Sequence, residues 1–313
     1  MLYDFLIAPF VDMATQPLFL VETVIAGLMA GVMYSLVALG FVLIFKASGV
    51  FNYAQGVMVL FAPLTLAGLM NDYNVPLILA ILMTIGVMIL LAWLVERLIL
   101  RHMVNQDEII LFMATIGLAF FLEGFGDLIW GSDVKILDLG LPQGPIDWAW
   151  DRGVLIEKLE VFAAVVAALL VTVLAIFFQK TKTGRALRAV ADDHQAAMSV
   201  GISLRGIWVI VWSVAGIVAL VAGVMWGAKS GVQFSLSLLA LKALPVLILG
   251  GFTSIPGAII GGLIIGVGEK VFEIYWGGLI GGATENWFAY VLALGFLLFR
   301  PQGLFGEKII ERV

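Results

Sequence analysis

Long apolar runs recur along the chain at lengths that suit a membrane protein. A helix needs roughly 20 apolar residues to cross the hydrocarbon core of a bilayer. Nine segments approach that length, and the last three are shorter or broken by glycine. The pattern predicts an all-α polytopic membrane protein, a helical bundle of about eight or nine segments, some of them broken or re-entrant. The segments cover residues 18–45, 50–70, 75–96, 109–130, 161–178, 206–228, 236–252, 254–275 and 285–299.

Composition strengthens this interpretation. Hydrophobic residues make up 62% of the 313 residues and charged residues 12%, whereas a soluble domain is roughly 45–50% apolar and about 25% charged. Too little polar surface remains to cover a water-soluble globule. The formal net charge of −5 leaves no basic face for nucleic acid. With no cysteine and two histidines, we expect no disulfide, no thiol catalysis and no metal site.

The distribution of lysine and arginine predicts the orientation. Of these 17 residues, eleven lie in one set of loops, which includes Lys46 and the C-terminal tail, and four lie in the opposite set. The other two, Lys242 and Lys270, fall within segments. The first set is therefore predicted to be cytoplasmic, with the N-terminus outside and the C-terminus inside. An odd number of crossings follows: nine, or seven with a re-entrant hairpin. No Lys or Arg precedes Lys46, so we expect no secretory signal.

Two loops are long. Residues 131–160 form the predicted external loop, which is rich in acids and contains Trp148 and Trp150. It is either a solvated cap with interfacial tryptophan anchors or a docking surface for an external partner.

Residues 180–206 form the predicted cytoplasmic loop, which contains more than basic residues. Thr183 can cap one short helix, Asp192 or Asp193 can cap a second, and Gly201 can end it. Two amphipathic helices result, and each has one apolar side to bury. They lie either on lipid headgroups or in the groove of a soluble partner.

Several motifs in this chain resemble those of a known family. Gln195-Ala196-Ala197-x-x-x-Gly201 is similar to the loop of ABC importer permeases, with Gln in place of Glu. Together with Gly184, Arg185 and Arg188, it resembles the permeases of branched-chain amino acid importers. Further stretches that resemble this family are Asn52–Gly56, the glycine-rich block 250–262 and the C-terminal block 300–306.

This resemblance implies a single permease domain over residues 1–313 in a bacterial inner (plasma) membrane. It implies two cytoplasmic ATP-binding subunits, a second permease subunit in a heterodimer, and a periplasmic or extracellular solute-binding protein. The substrate would be a branched-chain amino acid or a related amide or organic acid. The chain has no phosphate-binding loop of its own, so ATP would be used by the partner subunits and no cofactor would bind here. The expected ATPase-coupling residues are Gly184, Arg185, Arg188, Asp192, Gln195, Ala196, Ala197 and Gly201.

Two further groups are candidates for the translocation path or its gate. Asn52, Tyr53, Gln55 and Gly56 place polar groups beside apolar segments, where they either join helices by hydrogen bonds or line the path. Ser254 and Gly257 lie in a glycine-rich block that forms either a packing seam or a hinge.

The remaining alternative is a self-sufficient secondary transporter with broken helices, which would place ionisable groups in mid-membrane. Most acids here lie near segment ends, where contact with solvent would explain them. A salt bridge from Lys242 or Lys270 to a nearby acid is a further alternative. No cluster of acids, histidine or serine at one depth indicates an enzyme, so we expect no catalytic residues.

Overall fold

The computed structural model describes residues 2–103, 106–192 and 194–306. These residues form helices joined by turns and loops, with two isolated β-bridges, Lys135 to Val232 and Pro145 to Glu157. The α-helices are α1 (Leu2–Leu6), α2 (Ala8–Thr15), α3 (Pro17–Ser48), α4 (Gln55–Asn71), α5 (Leu77–Leu98), α6 (Glu108–Trp130), α7 (Asp147–Trp150), α8 (Lys158–Lys180), α9 (Lys182–Asp192), α10 (His194–Ser199), α11 (Leu204–Ser230), α12 (Leu239–Gly250), α13 (Ile255–Phe272), α14 (Gly278–Ile280) and α15 (Phe288–Phe299).

Each of the nine predicted apolar segments contains a helix. Among the described residues, six helices are long and apolar enough to cross a membrane, and three shorter apolar helices cover Gln55–Asn71, Phe234–Gly250 and Phe288–Phe299. The all-helical, polytopic membrane class is therefore confirmed. The number of crossings and the orientation stay predictions.

The chain divides into two compact units. Unit one comprises residues 1–35, 140–167 and 242–313, and unit two comprises residues 36–139 and 168–241. Helices α3 and α8 each contribute to both units.

In unit two, α4 is the central helix. Every residue from Gln55 to Leu69 is buried, as expected for a helix that is apolar on all sides. Pro63 has no N–H to donate to the carbonyl of Val59. Gly223 of α11 packs directly against that carbonyl, where a Cβ would overlap it. The absence of a side chain therefore lets two helix backbones touch.

In unit one, the first half of α3 packs against α13 through facing glycines. A Cβ added to Gly27 would lie 2.6 Å from the Cα of Val267, and one added to Gly31 would lie 2.8 Å from the Cα of Leu263. Small residues at a spacing of four create this close crossing.

The N-terminal helices α1 and α2 were not predicted from the sequence. The indole N–H of Trp276 donates to the carbonyl of Phe5 at 3.0 Å. The ring of Phe10 meets Trp276 edge-on, with 5.5 Å between ring centroids. These two contacts hold the N-terminal helices within unit one, and neither is visible in the local hydrophobic pattern.

Candidate functional site

The coupling segment, residues 180–206, contains the two predicted short helices, α9 and α10. The cap of the first differs from the prediction. Thr181, rather than Thr183, accepts a hydrogen bond from the N–H of Gly184 at 3.0 Å. The helix begins one residue before Thr183, so the Thr183 hydroxyl does not occupy the capping position. Asp193 lies outside the described residues, and Asp192 is the last residue of α9.

One side of the coupling segment is fixed to the end of α8. A Cβ on Gly184 would lie 2.5 Å from the carbonyl oxygen of Phe177, so this position needs glycine for close approach. The guanidinium of Arg188 donates to the carbonyl of Phe178. A cation at the C-terminal end of a helix also interacts favourably with the helix dipole. Gly184 and Arg188 therefore attach α9 to α8.

The apolar side of both helices is buried. Leu187 and Val190 of α9 are almost fully buried, and Ala197 of α10 is 3% exposed. Gly201 follows with a φ of +85°, and the N–H of Ile202 donates to the carbonyl of Ala197 at 3.0 Å. Gly201 therefore forms the left-handed turn that follows α10, as predicted for the end of the second helix.

The side of the coupling segment opposite its buried apolar residues is exposed to solvent. Arg185, Gln195 and Ala196 lie at the surface, and so do the apolar side chains of Met198 and Val200. The predicted coupling residues thus separate into a buried set, with Gly184 and Ala197, and an exposed set, with Arg185, Gln195 and Ala196. The segment thus has a base attached to α8 and an exposed side that carries the apolar residues Met198 and Val200.

Asn52 organises the start of α4 in unit two. Its side chain is fully buried, and its carbonyl oxygen accepts from the N–H of Ala54 at 3.1 Å. The N–H of the next residue, Tyr53, donates to the hydroxyl of Thr115 at 3.0 Å. These bonds satisfy two backbone N–H groups between α3 and α4. The hydrogen bonds of the Asn52 side chain stay within this turn and the start of α4, and it is the backbone of Tyr53 that bonds to a further helix, α6.

Gln55 is also fully buried. Its amide nitrogen lies 3.4 Å from the carbonyl of Ala215, and its amide oxygen has no hydrogen-bond partner among the described residues. A Cβ on Gly40 would overlap this amide. Gly56 also permits a close contact, since a Cβ added at this position would lie 2.5 Å from the carbonyl oxygen of Ser237.

A cavity of about 20 Å³ lies beside Asn52, between Thr115, Trp208 and Trp212. A buried water needs roughly 10–15 Å³, so the cavity has room for one water and is too small for an amino acid. The indole N–H groups of Trp208 and Trp212 are buried without partners among the described residues.

Ser254 and Gly257 lie in unit one, where they begin α13. The hydroxyl of Ser254 accepts from the N–H of Gly257 at 3.0 Å, which caps the helix. The C-terminal block returns to the same place. The N–H of Leu304 donates to the carbonyl of Leu249 at 2.8 Å, and the N–H of Phe305 donates to that of Gly250 at 3.2 Å. The structure therefore brings together the glycine-rich block 250–262 and the C-terminal block 300–306, which are about 40 residues apart in the sequence.

Unit one also contains a group of charged side chains whose pairing could not be predicted from the sequence. Lys242 pairs with Glu269, and Lys270 pairs with Glu285, at 3.3 Å in each case. Glu269 is buried, not solvated as acids near segment ends were expected to be. Tyr34 and Glu285, which complete this group, carried no signal in the sequence. The sequence signal that could have indicated the Lys242–Glu269 pair is a Lys and a Glu 27 residues apart in neighbouring apolar segments.

The comparisons with known proteins agree on one family. Residues 23–300 match the family described as the branched-chain amino acid transport system permease component. The chain is 29% identical to the high-affinity branched-chain amino acid transport system permease protein BraD of Pseudomonas aeruginosa, over 93% of this chain and 97% of that protein. It is 27% identical to the corresponding permease LivH of Escherichia coli strain K12, over 96% of this chain and 100% of that protein.

Among solved structures, PsaBC from Streptococcus pneumoniae in complex with Fab is similar over 94% of this chain and 95% of that one. The TM-score is 0.46 and the identity 16%, which is too weak to support a functional argument. The family assignment therefore rests on the sequence match. Since that match covers most of the chain, the protein belongs to the family of permease components of branched-chain amino acid transport systems.

Proposed function

We propose that this chain is the permease subunit of an ATP-driven importer that passes a branched-chain amino acid, or a related small amide or organic acid, across the membrane. Family membership and the six long apolar helices make it a multi-pass protein of the inner membrane. In this proposal two ATP-binding subunits act on its cytoplasmic face, a second permease completes the path, and an external binding protein delivers the solute.

The coupling segment is the observation that carries the proposal. Its exposed residues Gln195, Ala196 and Met198 offer a contact surface on a base that is buried and hydrogen-bonded to the end of α8. Because α10 leads directly through Gly201 into α11, a force on the exposed side reaches two long helices, α8 and α11. A partner that hydrolyses ATP could therefore move both as rigid levers.

A matched pair of glutamines tests this role. Gln195 is exposed in the coupling segment, and Gln143 is exposed in the 131–160 loop. The variants Gln195→Arg and Gln143→Arg introduce the same charge on the two loops. We expect only Gln195→Arg to prevent co-purification with the ATP-binding subunits and to abolish ATP-dependent leucine uptake in proteoliposomes. Normal uptake and normal co-purification by Gln195→Arg would contradict the proposed coupling role.

One observation favours the second candidate, a secondary transporter. Glu269 places a buried carboxylate inside an apolar helix, and ion-coupled transporters use such groups. The purified chain alone, in liposomes with a sodium or proton gradient and no ATP, would then accumulate leucine. We expect no uptake under these conditions, because the proposed importer requires its ATP-binding subunits.

A further inference from the structure

A buried ion pair joins α12 and α13 in unit one. The carboxylate oxygen Oε1 of Glu269 lies 3.3 Å from Nζ of Lys242, and the hydroxyl of Tyr34 donates to the same oxygen at 2.9 Å. The Glu269 side chain is 1% exposed, whereas that of Lys242 is 23% exposed. A buried carboxylate is tolerated only with strong partners, and Lys242 and Tyr34 supply them.

The second oxygen of this carboxylate is not used. Oε2 of Glu269 is buried and has no hydrogen-bond partner among the described residues. A buried acceptor without a donor is costly, and more so when it carries charge. Oε2 of Glu269 can therefore still accept a hydrogen bond from a positively charged donor, directly beside the ammonium group of Lys242.

Residues 281–286, here named the flap, contact the pair through Glu285. The ammonium group of Lys242 donates to the backbone carbonyl of Glu285. Lys270 forms a salt bridge to the Glu285 carboxylate at 3.3 Å, and these two side chains are 35% and 42% exposed. Exposed salt bridges of this kind contribute little to stability. This salt bridge is thus a weak constraint on the flap, which is also attached through the Lys242 contact.

The flap also begins with an unusual backbone. Gly281, Gly282 and Ala283 have φ values of +100°, +77° and +54° in succession. Glycine adopts such angles freely, whereas alanine does so at a cost. The carboxylate of Glu273 accepts hydrogen bonds from the Thr284 hydroxyl and from the N–H of Glu285. A turn that contains two glycines is therefore followed directly by Thr284 and Glu285, which Glu273 holds by hydrogen bonds.

We propose that Glu269 and Lys242 together bind the head group of a zwitterionic amino acid after the flap moves aside. The ammonium group would take the open Oε2 of Glu269, and the carboxylate would take Nζ of Lys242. This inference rests on the proposed function. The predicted orientation places Lys242 at the outer end of α12, so this site would meet the solute as it arrives from outside. A pair of opposite charges selects a zwitterion over a simple amine or a simple acid, because each of those leaves one charge unpaired.

Two matched lysines separate a binding role from a structural one. Lys242 and Lys270 both join the same ionic group, but only Lys242 touches Glu269. In the complete importer, reconstituted with its ATP-binding subunits and binding protein, we expect Lys242→Met and Glu269→Gln to raise the KM for leucine about tenfold or more. Lys270→Met removes only the exposed salt bridge to the flap and no contact with Glu269, so it should not raise the KM. Assembly and basal ATPase activity are measured in each variant.

Wild-type KM values in both Lys242→Met and Glu269→Gln would overturn the inference and leave the proposed function intact. An equal rise in KM for Lys242→Met and Lys270→Met would also overturn it, since that result indicates a structural network. Absence of ATP-dependent leucine uptake by the unmodified importer would instead contradict the proposed function itself.

A second measurement keeps the inference testable if the variants fail to assemble. Leucine binding to the unmodified complex, without the external binding protein, is measured by equilibrium dialysis in competition with 3-methylbutylamine and 4-methyl-2-oxopentanoate. These compounds keep the branched chain and lack the carboxylate and the ammonium group respectively. We expect each to compete about tenfold or more weakly than unlabelled leucine. Competition by either compound as strong as that by leucine would overturn the two-charge site, and displacement of bound leucine by sodium ions would assign the open oxygen to a cation.

Discussion

Gly250 and Gly257 face each other so closely that neither position has room for a side chain. A Cβ on either glycine would overlap the carbonyl of the other. Helices α12 and α13 therefore meet backbone to backbone where they join. The C-terminal block 300–306 is hydrogen-bonded to the same turn, so this part of unit one depends on glycines at a few defined positions.

Gly257→Ala should lower stability through steric overlap. We expect a loss of about 2 kcal/mol, which is typical of overpacking, and a lower Tm of the detergent-purified protein. Gly295→Ala is the matched control, because Gly295 lies in helix α15 with nothing within 4 Å of an added Cβ. It should be neutral or slightly stabilising, since alanine favours helix. Equal Tm values for the two variants would contradict the close crossing.

Adjacent alanines in the coupling segment should respond differently to the same change. Ala197→Asp places a charge at a buried position, and we expect it to cost about 3 kcal/mol or more and to reduce the yield of folded protein. Ala196→Asp changes an exposed position and should leave Tm unaltered while weakening the proposed contact with the ATP-binding subunits. Thermal unfolding and co-purification measure the two effects. Similar Tm values for both variants would show that Ala197 is not a packing residue.

Gly40 and Gln55 should behave as a coupled pair. A methyl group at position 40 would overlap the buried Gln55 amide, so we expect Gly40→Ala to destabilise by about 1–3 kcal/mol. In a Gln55→Ala background the same change should cost much less. A double-mutant cycle on Tm gives the coupling. Additive effects of the two substitutions would exclude this contact.

The buried carboxylate of Glu96 depends on Arg101. Two guanidinium nitrogens lie 3.3 and 3.0 Å from its two oxygens. Arg101→Met leaves a buried charge without its partner, so we expect a loss of about 3 kcal/mol. Arg97→Met is the control, because Arg97 stacks over Trp93 at 4.9 Å and does not pair with Glu96. Adding Glu96→Gln to Arg101→Met should recover part of the loss, and no recovery would count against the pair.

The absence of native cysteine makes the predicted orientation directly testable. Gln195→Cys and Asp133→Cys each place a single thiol at an exposed position. In intact cells, a membrane-impermeant thiol reagent should label Asp133→Cys and should label Gln195→Cys only after the membrane is permeabilised. The reverse pattern would invert the topology and remove the coupling segment from the cytoplasm.

The sequence predicted the helices well because their signals are local. An apolar run of sufficient length must form a helix in lipid, since each backbone group needs a hydrogen-bond partner within its own segment. Gly201 follows the end of α10 as predicted, since a left-handed turn favours glycine. Even locally, competing residues caused an error: Thr181 and Thr183 both suit a cap, and the structure uses Thr181.

The sequence could not identify the two N-terminal helices. Residues 2–15 are too few for a long apolar run, and their helices are held by Trp276, which lies far away in the chain. The exposure of each predicted coupling residue could not be predicted for a similar reason. Positions 196 and 197 are both alanine, and only packing decides that Ala196 is exposed and Ala197 is buried.

By itself, then, the sequence determined the membrane class, the positions of the apolar helices and the motifs that resemble the permease family. Only the tertiary structure decided that Lys242 pairs with Glu269, that Gly31 packs on Gly262 and that Leu304 is bonded to Leu249. Helix formation depends on neighbours a few residues apart. These pairs join residues 27 to more than two hundred positions apart, and their partners are fixed by how the helices pack.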